Sequence, residues 1–378
     1  MQKITDLKLK KESTVLIRAS LNVPVKKDKN KKEKIEDDFR LKSILKTLKY
    51  LSKKEARIVL IGHIGKDQKS NFDLVFKWLK KELKKDNINI YFDSGTFLNF
   101  DKEKIKEVQN KIEDLEGGEI LLLDNLRHTE KEKKNSKKFA RELKNLADFY
   151  INEAFAVSHR KHCSVSALPD KFTLSKKAYG FRFEDELKNI QKIKKHKSPS
   201  ILFLGGAKIE TKLPMIKNLI DEFDLVVLGG GIANTFYKQK GFEIGKSICD
   251  DKNINIKNLL KNPKIFIPEI VETENGIKHI SEVKKNEKIL DNNPRSYKEL
   301  EEVFKKAKFV FYNGPFGYYE GGYKKGSIYI LKKFANKKQY FVIGGGNTVS
   351  VAQKLKLEDK INFISTGGGA LLYGLSRK

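Results

Sequence analysis

The sequence has little cysteine and no long apolar run. Cys163 and Cys249 are its only cysteines in 378 residues, too few for a disulfide framework or a cysteine metal cluster, so we expect a reducing compartment. Nowhere do about 18 apolar residues follow one another, and the basic N-terminus lacks an apolar run of signal-peptide length. These absences predict a cytoplasmic protein without a membrane-spanning helix.

Arginine is also scarce, although the chain is strongly basic. The formal net charge is +29, yet only nine of the 78 basic residues are arginine, and the lysines are spread along the whole chain. A basic surface attracts nucleic acid through counterion release. Scattered lysines are more typical of a solvated surface with a biased composition. We adopt the second interpretation and keep nucleic-acid binding as an alternative.

Length and apolar content predict two folded domains. The 378 residues exceed the roughly 250 to 300 residues of a single core. A hydrophobic share of 39%, with 24 Phe and 13 Tyr, is enough to bury two cores.

Short apolar runs alternate with charged segments along the chain. The runs lie at 14–19, 56–63, 119–125, 148–152, 200–206, 224–231, 264–271, 308–314, 340–346 and 362–369. Between most of them lie segments with apolar residues at helical spacing, such as 39–51 and 71–83. This alternation predicts an α/β protein with mostly parallel sheets covered on both faces. A helical charged segment divides the strands, which predicts domains at 1–182 and 199–365 joined by a helix at 183–198.

Glycine follows the strands of the second half. Glycine follows the apolar run, directly or after one or two other residues, in each of the segments SILFLGGAK, DLVVLGGGIANTF, FVFYNGPFG, FVIGGGNT and NFISTGGGA. Ligands collect at the carboxyl ends of such strands, where helix N-termini present backbone N–H groups. Five such ends predict a large anionic ligand close to the backbone. The chain has no P-loop, no strand followed by G-x-G-x-x-G and no protein-kinase motif set.

The order of motifs resembles the phosphoglycerate kinase family over nearly the whole chain. The motifs are RASLNVP (18–24), DDFRLKSILKTLKYL (37–51), GHIGK (62–66), LLDNLRHTEKE (122–132), INEAFAVSHRKHCS (151–164), LGGAKIETKL (204–213), LGGGIANTF, NGPFGYYE (313–320), GGGNT and STGGGA (365–370). The resemblance implies two Rossmann-like domains facing across a cleft. Domain 1–182 would bind 3-phosphoglycerate or 1,3-bisphosphoglycerate, domain 199–365 would bind ADP or ATP with Mg²⁺, and the tail 366–378 would return to the first domain. It also suggests a monomer.

The same resemblance assigns site residues by motif position. The substrate-binding residues would be Arg18, Ser20, Asn22, Arg40, His63, Lys66, Arg127 and Arg160. The nucleotide-binding residues would be Gly206, Lys208, Lys212, Gly230, Asn313, Glu320, Gly345, Gly346, Asn347 and Thr348. Arg40, Lys208, Lys212 and Gly368 would serve the transfer itself, which needs no general base because the reacting oxygens are already ionised. For Arg40 the alternative is an ion pair with Asp37 or Asp38.

Three positions depart from the family pattern. Lys66 replaces an arginine, Ser20 replaces an aspartate that contacts the glycerate, and Asn347 replaces the aspartate that serves the Mg-nucleotide. An asparagine oxygen is a weak Mg²⁺ ligand, directly or through water. The resemblance therefore predicts an active kinase with reduced turnover, and the alternative is an impaired kinase-like protein that still binds nucleotide.

Overall fold

Strands and helices alternate along the chain, which a computed structural model describes for residues 1–27, 32–65, 68–207, 209–210, 212–250, 254–335 and 337–376. The chain forms two units, Met1–Lys188 and Asn189–Lys378. Their boundary falls inside the helix Phe181–Lys194, which overlaps the predicted connecting helix at 183–198. The domain limits and the return of 366–378 to the first domain stay predictions.

The first unit is built on one parallel sheet. Its strands and the neighbouring hairpin are β1 Gln2–Lys3, β2 Thr14–Ala19, β3 Val25–Lys27, β4 Glu33–Ile35, β5 Arg57–Ile61, β6 Ile90–Asp93, β7 Ile120–Leu123, β8 Phe149–Glu153 and β9 Lys177–Tyr179. Its helices are α1 Phe39–Lys53, α2 Asp73–Lys84, α3 Lys102–Glu113, α4 Glu130–Lys133, α5 Lys137–Lys144 and the start of α6 Phe181–Lys194. The sheet order is β1-β9-β8-β2-β5-β7-β6, and every pair is parallel.

Both faces of this sheet are buried, which explains why its strands are continuous apolar runs. In β5, Ile58 and Leu60 belong to one core cluster with α1 and α2. Val59 and Ile61 point the other way and join the cluster that includes α3 and α5. In α1 the buried residues Leu41, Ile44, Leu48 and Leu51 recur every three or four positions, so one helix face covers the sheet.

The second unit contains a six-stranded parallel sheet and a small antiparallel one. Its strands are β10 Ser200–Leu204, β11 Leu225–Leu228, β12 Ile265–Phe266, β13 Ile270–Thr273, β14 Gly276–His279, β15 Ile289–Asn292, β16 Phe309–Asn313, β17 Tyr340–Gly344 and β18 Phe363–Ile364. Its helices are α7 Leu213–Leu219, α8 Gly230–Gln239, α9 Lys257–Leu260, α10 Glu301–Lys306, α11 Lys325–Phe334, α12 Gly346–Lys354 and α13 Gly368–Ser376.

The parallel sheet of the second unit has the order β12-β11-β10-β16-β17-β18. The chain winds outward from β10 in one direction and from β16 in the other, the doubly wound arrangement of Rossmann-like folds. The carboxyl ends of β10 and β16 therefore flank the point where strand order reverses. The predicted α/β class with mostly parallel sheets is confirmed.

One predicted strand is wrong in extent. The apolar run at 264–271 divides into β12 and β13, which belong to different sheets. Pro268 lies between them and has no backbone N–H to donate to a sheet ladder. β13 instead pairs with β14 and β15 in the antiparallel sheet. In the described residues no helix is long and apolar enough to cross a membrane.

Candidate functional site

Four neighbouring strands of the first unit, β8, β2, β5 and β7, end at the same edge of their sheet. The segments after these strands, together with the first turn of α1, carry the predicted substrate-binding residues except Arg18, which lies within β2. Six of them line one cavity of about 420 Å³, namely Ser20, Asn22, Arg40, His63, Arg127 and Arg160. The sheet edge thus brings together residues that are as much as 140 positions apart in sequence, as expected for an α/β sheet.

This cavity is strongly cationic. No Asp or Glu is among the described residues that line it, and Lys133 is present beside the three arginines. Burial lowers the pKa of Arg127, and the nearby Arg160 lowers it further. Guanidinium groups crowded without a lining carboxylate favour an anion that offers several charged oxygens.

Arg40 lies in the first turn of α1 and reaches the cavity. Its Nη1 donates a hydrogen bond to the backbone carbonyl of Asn22 at 2.6 Å. Burial lowers the pKa of Arg40, and this effect exceeds the opposing effect of Asp37. Asp38 pairs with Lys42 at 2.9 Å. Arg40 therefore interacts with Asp37 electrostatically and still lines the cavity.

His63 faces the cavity as a neutral imidazole. Its Nδ1 lies 2.7 Å from Nη2 of Arg18, and because a guanidinium can only donate, Nδ1 must accept. The proton of the neutral ring is therefore on Nε2. Burial lowers the pKa of His63 well below its usual value, and Arg18 and Arg127 lower it further. His63, which lines the cavity, thus has its hydrogen-bond donor at Nε2.

Arg18 was predicted to bind substrate, but it lies beneath the cavity and is fully buried. Its Nε donates to Oγ of Ser164 at 3.1 Å. That hydroxyl donates in turn to Glu132 at 2.6 Å, and the backbone N–H of Ser164 donates to the same carboxylate at 2.9 Å. Arg18 therefore orients His63, while Glu132 provides its buried counter-charge.

Two cavity residues with ionisable side chains were missed from the sequence, and one predicted residue lies outside the described part. Lys133 closes α4, and His162 follows Arg160 in the SHRKH segment. Burial and the nearby arginines lower the pKa of His162 to about 4, so its ring is neutral at neutral pH. The His162 position stands in a quoted motif, whereas nothing marks Lys133 in so lysine-rich a chain. Lys66 lies outside the described residues.

In the second unit, glycines follow β10, β11, β16 and β17, which are neighbours in the sheet. Gly314, directly after β16, has a φ of 91°, a conformation that suits glycine. A Cβ there would lie 2.6 Å from Nζ of Lys212. That amine donates to the backbone carbonyl of Gly205, after β10. Lys212 therefore lies between the two strand ends at which the strand order reverses.

Burial lowers the pKa of Lys212 to about 8. The Lys212 side chain is therefore mostly protonated at pH 7 and loses its proton as the pH rises through about 8. An anion nearby would favour the charged form. Lys208, its predicted companion, lies outside the described residues.

The loop between β17 and α12 is fixed by a buried hydrogen bond to the residue that follows β16. Gly345 has a φ of 91° and is the N-cap of α12, so the first N–H groups of the helix lie at the sheet edge. The Thr348 hydroxyl accepts a hydrogen bond from the N–H of Gly314 at 3.0 Å and is fully buried. Thr348 therefore fastens the loop to β16, while Gly346 is exposed at the start of the helix.

Asn313 and Gly368 pack under the same loop. A Cβ on Gly368 would lie 2.8 Å from Nδ2 of Asn313, so only glycine leaves room there. Nδ2 of Asn313 is buried and has no hydrogen-bond partner among the described residues. A buried donor left unpaired costs about 1–3 kcal/mol. An acceptor atom that reached this amide would remove that cost.

A second cavity, of about 220 Å³, opens beside these glycines. Of the predicted residues it is lined by Gly206, Gly230, Glu320 and Asn347. The amide Nδ2 of Asn347 donates to the Glu320 carboxylate at 2.9 Å. Apolar side chains, Ile248 and Phe316 among them, line its remaining wall, as is usual in small-molecule sites.

Sequence reasoning missed the contribution of β15 to this second cavity. Asn292, at the end of β15, accepts a hydrogen bond from the N–H of Gly230 at 2.8 Å and so fixes the start of α8. Its neighbour Asp291 also lines the cavity, and burial raises the pKa of Asp291 to about 6. The segment KILDNNP carried no motif, although an apolar run that ends in polar residues was visible.

The comparison with protein families decides the assignment. A family model described as phosphoglycerate kinase matches residues 4–378. The chain belongs to the phosphoglycerate kinase family. The family identified from the motif order is therefore confirmed.

Relatives and solved structures agree with the family. The phosphoglycerate kinase of a Nitratiruptor species is 35% identical over 402 residues, covering 100% of this chain and 96% of the relative. That of Mycoplasmoides gallisepticum is 34% identical over 395 residues, covering 96% of this chain and 92% of the relative. The crystal structure of phosphoglycerate kinase from Pyrococcus horikoshii OT3 superposes with a TM-score of 0.82 at 27% identity, covering 100% of this chain and 96% of that one.

Proposed function

We propose that this chain catalyses the reversible transfer of a phosphoryl group from 1,3-bisphosphoglycerate to ADP, giving 3-phosphoglycerate and ATP in glycolysis or gluconeogenesis. Family membership supports a kinase. The observation that carries the substrate assignment is the cavity of the first unit, with Arg40, Arg127, Arg160 and neutral His63 and with no carboxylate among the described residues that line it. Such a cavity suits a small ligand with a phosphate at one end and a carboxylate or acyl phosphate at the other.

Within this cavity we assign Arg40 to the acyl phosphate and the migrating phosphoryl group. Arg127 and Arg160 would bind the other phosphate through their planar forks. Asn22 and the Nε2–H of His63 would orient the glycerate. No group in this assignment acts as a base: Nδ1 of His63 is occupied by Arg18, and the reacting oxygens carry no proton at neutral pH.

In the second unit we assign the glycine-rich edge to ADP or ATP. The N-termini of α8 and α12 and the amine of Lys212 would bind the phosphates. Glu320 would contact the ribose, and the apolar wall of the second cavity would face the base. Charge would then be stabilised during transfer by preorganised N–H groups and cations.

The described residues fit a Mg²⁺ ion that arrives with the nucleotide. They contain no cluster of three or more His, Cys, Asp or Glu side chains that could hold a metal. Asn347 Oδ1 is available as a weak ligand, directly or through water, because its NH₂ group faces Glu320. When bound, Mg²⁺ neutralises phosphate charge and orients the phosphates.

The second candidate is an impaired kinase-like protein that binds nucleotide without efficient transfer. The replacement of two carboxylates by Ser20 and Asn347 favours it. The retained arginine set, with Lys212 and Glu320, favours activity. For the active enzyme we propose a cytoplasmic monomer without a specific nucleic-acid partner.

The test is steady-state turnover with 3-phosphoglycerate and Mg-ATP, coupled to reduction of the acyl phosphate. We expect turnover that Arg40→Ala reduces by about 100-fold or more, the usual effect of removing one charge-stabilising donor. Asn99→Ala, which removes an exposed amide-to-carboxylate contact with Asp101, is the matched control and should leave turnover unchanged. A folded protein that binds ATP without turnover would favour the impaired candidate.

A further inference from the structure

Asn347 and Glu320 form a hydrogen bond whose direction is fixed by chemistry. Nδ2 of Asn347 lies 2.9 Å from Oε1 of Glu320, and both side chains are exposed beside the second cavity. An ionised carboxylate only accepts hydrogen bonds, so the amide nitrogen must face it. One carboxylate oxygen of Glu320 is thereby engaged, and the other is left for a ligand.

The segment that carries Glu320 is tied to α12 at a second point. The hydroxyl of Tyr319 lies 2.7 Å from Oγ of Ser350. The same Tyr319 hydroxyl accepts a hydrogen bond from Nζ of Lys354 at 2.6 Å. Asn347, Ser350 and Lys354 recur at spacings of three and four, so they share one face of α12. Two consecutive residues of the loop are therefore held by the helix that begins at the predicted phosphate loop.

We propose that Asn347 is a positioning residue for nucleotide binding, which holds the Glu320 carboxylate in the orientation that binds the ribose hydroxyls. This inference rests on the proposed nucleotide site. It gives the departure at position 347 a function beyond weak metal ligation. An aspartate at position 347 would place a second carboxylate beside that of Glu320, at the distance of the present hydrogen bond. Two like charges so close repel each other. Compared with an aspartate, the asparagine is thus a weaker metal ligand but holds Glu320 ready for the ribose.

Binding measured in the absence of Mg²⁺ separates this role from metal ligation. Calorimetric titration in EDTA compares ADP with 2′,3′-dideoxy-ADP, which keeps both phosphates and the base but lacks the ribose hydroxyls. Asn347→Ala should raise the Kd for ADP about two- to fivefold, the range of an exposed hydrogen bond, and leave the Kd for the dideoxy analogue unchanged. Asn347→Asp should raise the Kd for ADP about three- to tenfold, and Glu320→Gln should remove most of that added penalty.

Asn99→Ala serves as the control for a surface amide and should change neither Kd. Equal effects of Asn347→Ala on ADP and on the dideoxy analogue, or no effect on either, would overturn the inference. A Glu320→Ala substitution that raised the Kd for ADP no more than the Kd for the dideoxy analogue would overturn the ribose assignment together with it. The proposed reaction would remain if turnover that depends on Arg40 persisted in that variant. Absence of ADP binding to the unaltered protein would instead contradict the proposed function.

Discussion

Lys212 makes nucleotide binding depend on pH in a predictable direction. Burial lowers its pKa to about 8 in the free protein, so about 90% of the side chain is charged at pH 7 and about 10% at pH 9. The bound phosphates favour the charged form, so binding above pH 8 requires uptake of a proton. If only the charged form binds, the Kd for ADP rises about tenfold between pH 7 and pH 9.

The assay is calorimetric titration of ADP at several pH values in buffers of different ionisation enthalpy, which gives the number of protons taken up. We expect about 0.1 proton at pH 7 and about 0.9 proton at pH 9. The terminal phosphate, with a second pKa near 6, is about 10% protonated at pH 7 and ionised at pH 9, so the proton uptake at pH 9 is the value that reports Lys212.

Two variants test whether Lys212 causes the pH dependence of ADP binding. Lys212→Arg stays charged and should bind ADP with a Kd that does not change between pH 7 and pH 9. Lys212→Met should bind weakly at every pH and take up no proton. A Kd for ADP that is constant with pH in the unaltered protein, or a pH dependence that survives in Lys212→Met, would refute the reasoning.

Three further predictions concern the two cavities. Arg18→Met should lower the free energy of unfolding of the first unit by about 3 kcal/mol, because Glu132 loses its buried counter-charge. Urea unfolding followed by Trp78 fluorescence measures this free energy. An unchanged value would contradict the buried network of Arg18, Ser164 and Glu132. 3-Phosphoglycerate at 100 times its Kd should stabilise the same unit by about 2.7 kcal/mol, and at that concentration Arg160→Ala should lose most of the gain; equal stabilisation of both proteins would exclude Arg160 from the site. Asn347→Asp should raise turnover at saturating Mg-ATP because a carboxylate is the better Mg²⁺ ligand, and unchanged turnover would contradict the role of this position in metal placement.

The sequence predicted the strands and their glycine ends well, because these features are local. The run at 14–19 coincides with β2, and SILFL at 200–204 coincides with β10. Continuous apolar runs report burial on both faces of a sheet, and a following glycine reports a turn at its edge. The run at 264–271 was wrongly taken as one strand because Pro268 was not weighed against the apolar pattern.

The contacts within the site were less predictable, because they join distant positions. Arg18 was assigned to the substrate, but its partner Ser164 lies 146 residues away, and no periodicity relates the two. Glu320 and Asn347 were assigned separate roles, although a hydrogen bond across 27 positions joins them. Motif order could assign residues to a site, but only the fold shows which of them touch each other.

The most direct measurement is ATP formation from 1,3-bisphosphoglycerate and Mg-ADP, followed by luciferase luminescence with the purified protein and with Arg40→Ala. Our account predicts catalytic ATP formation by the unaltered protein and a loss of about 100-fold or more in the variant. A folded protein that binds Mg-ADP yet forms ATP no faster than Arg40→Ala would contradict the proposal that this chain is an active phosphoglycerate kinase.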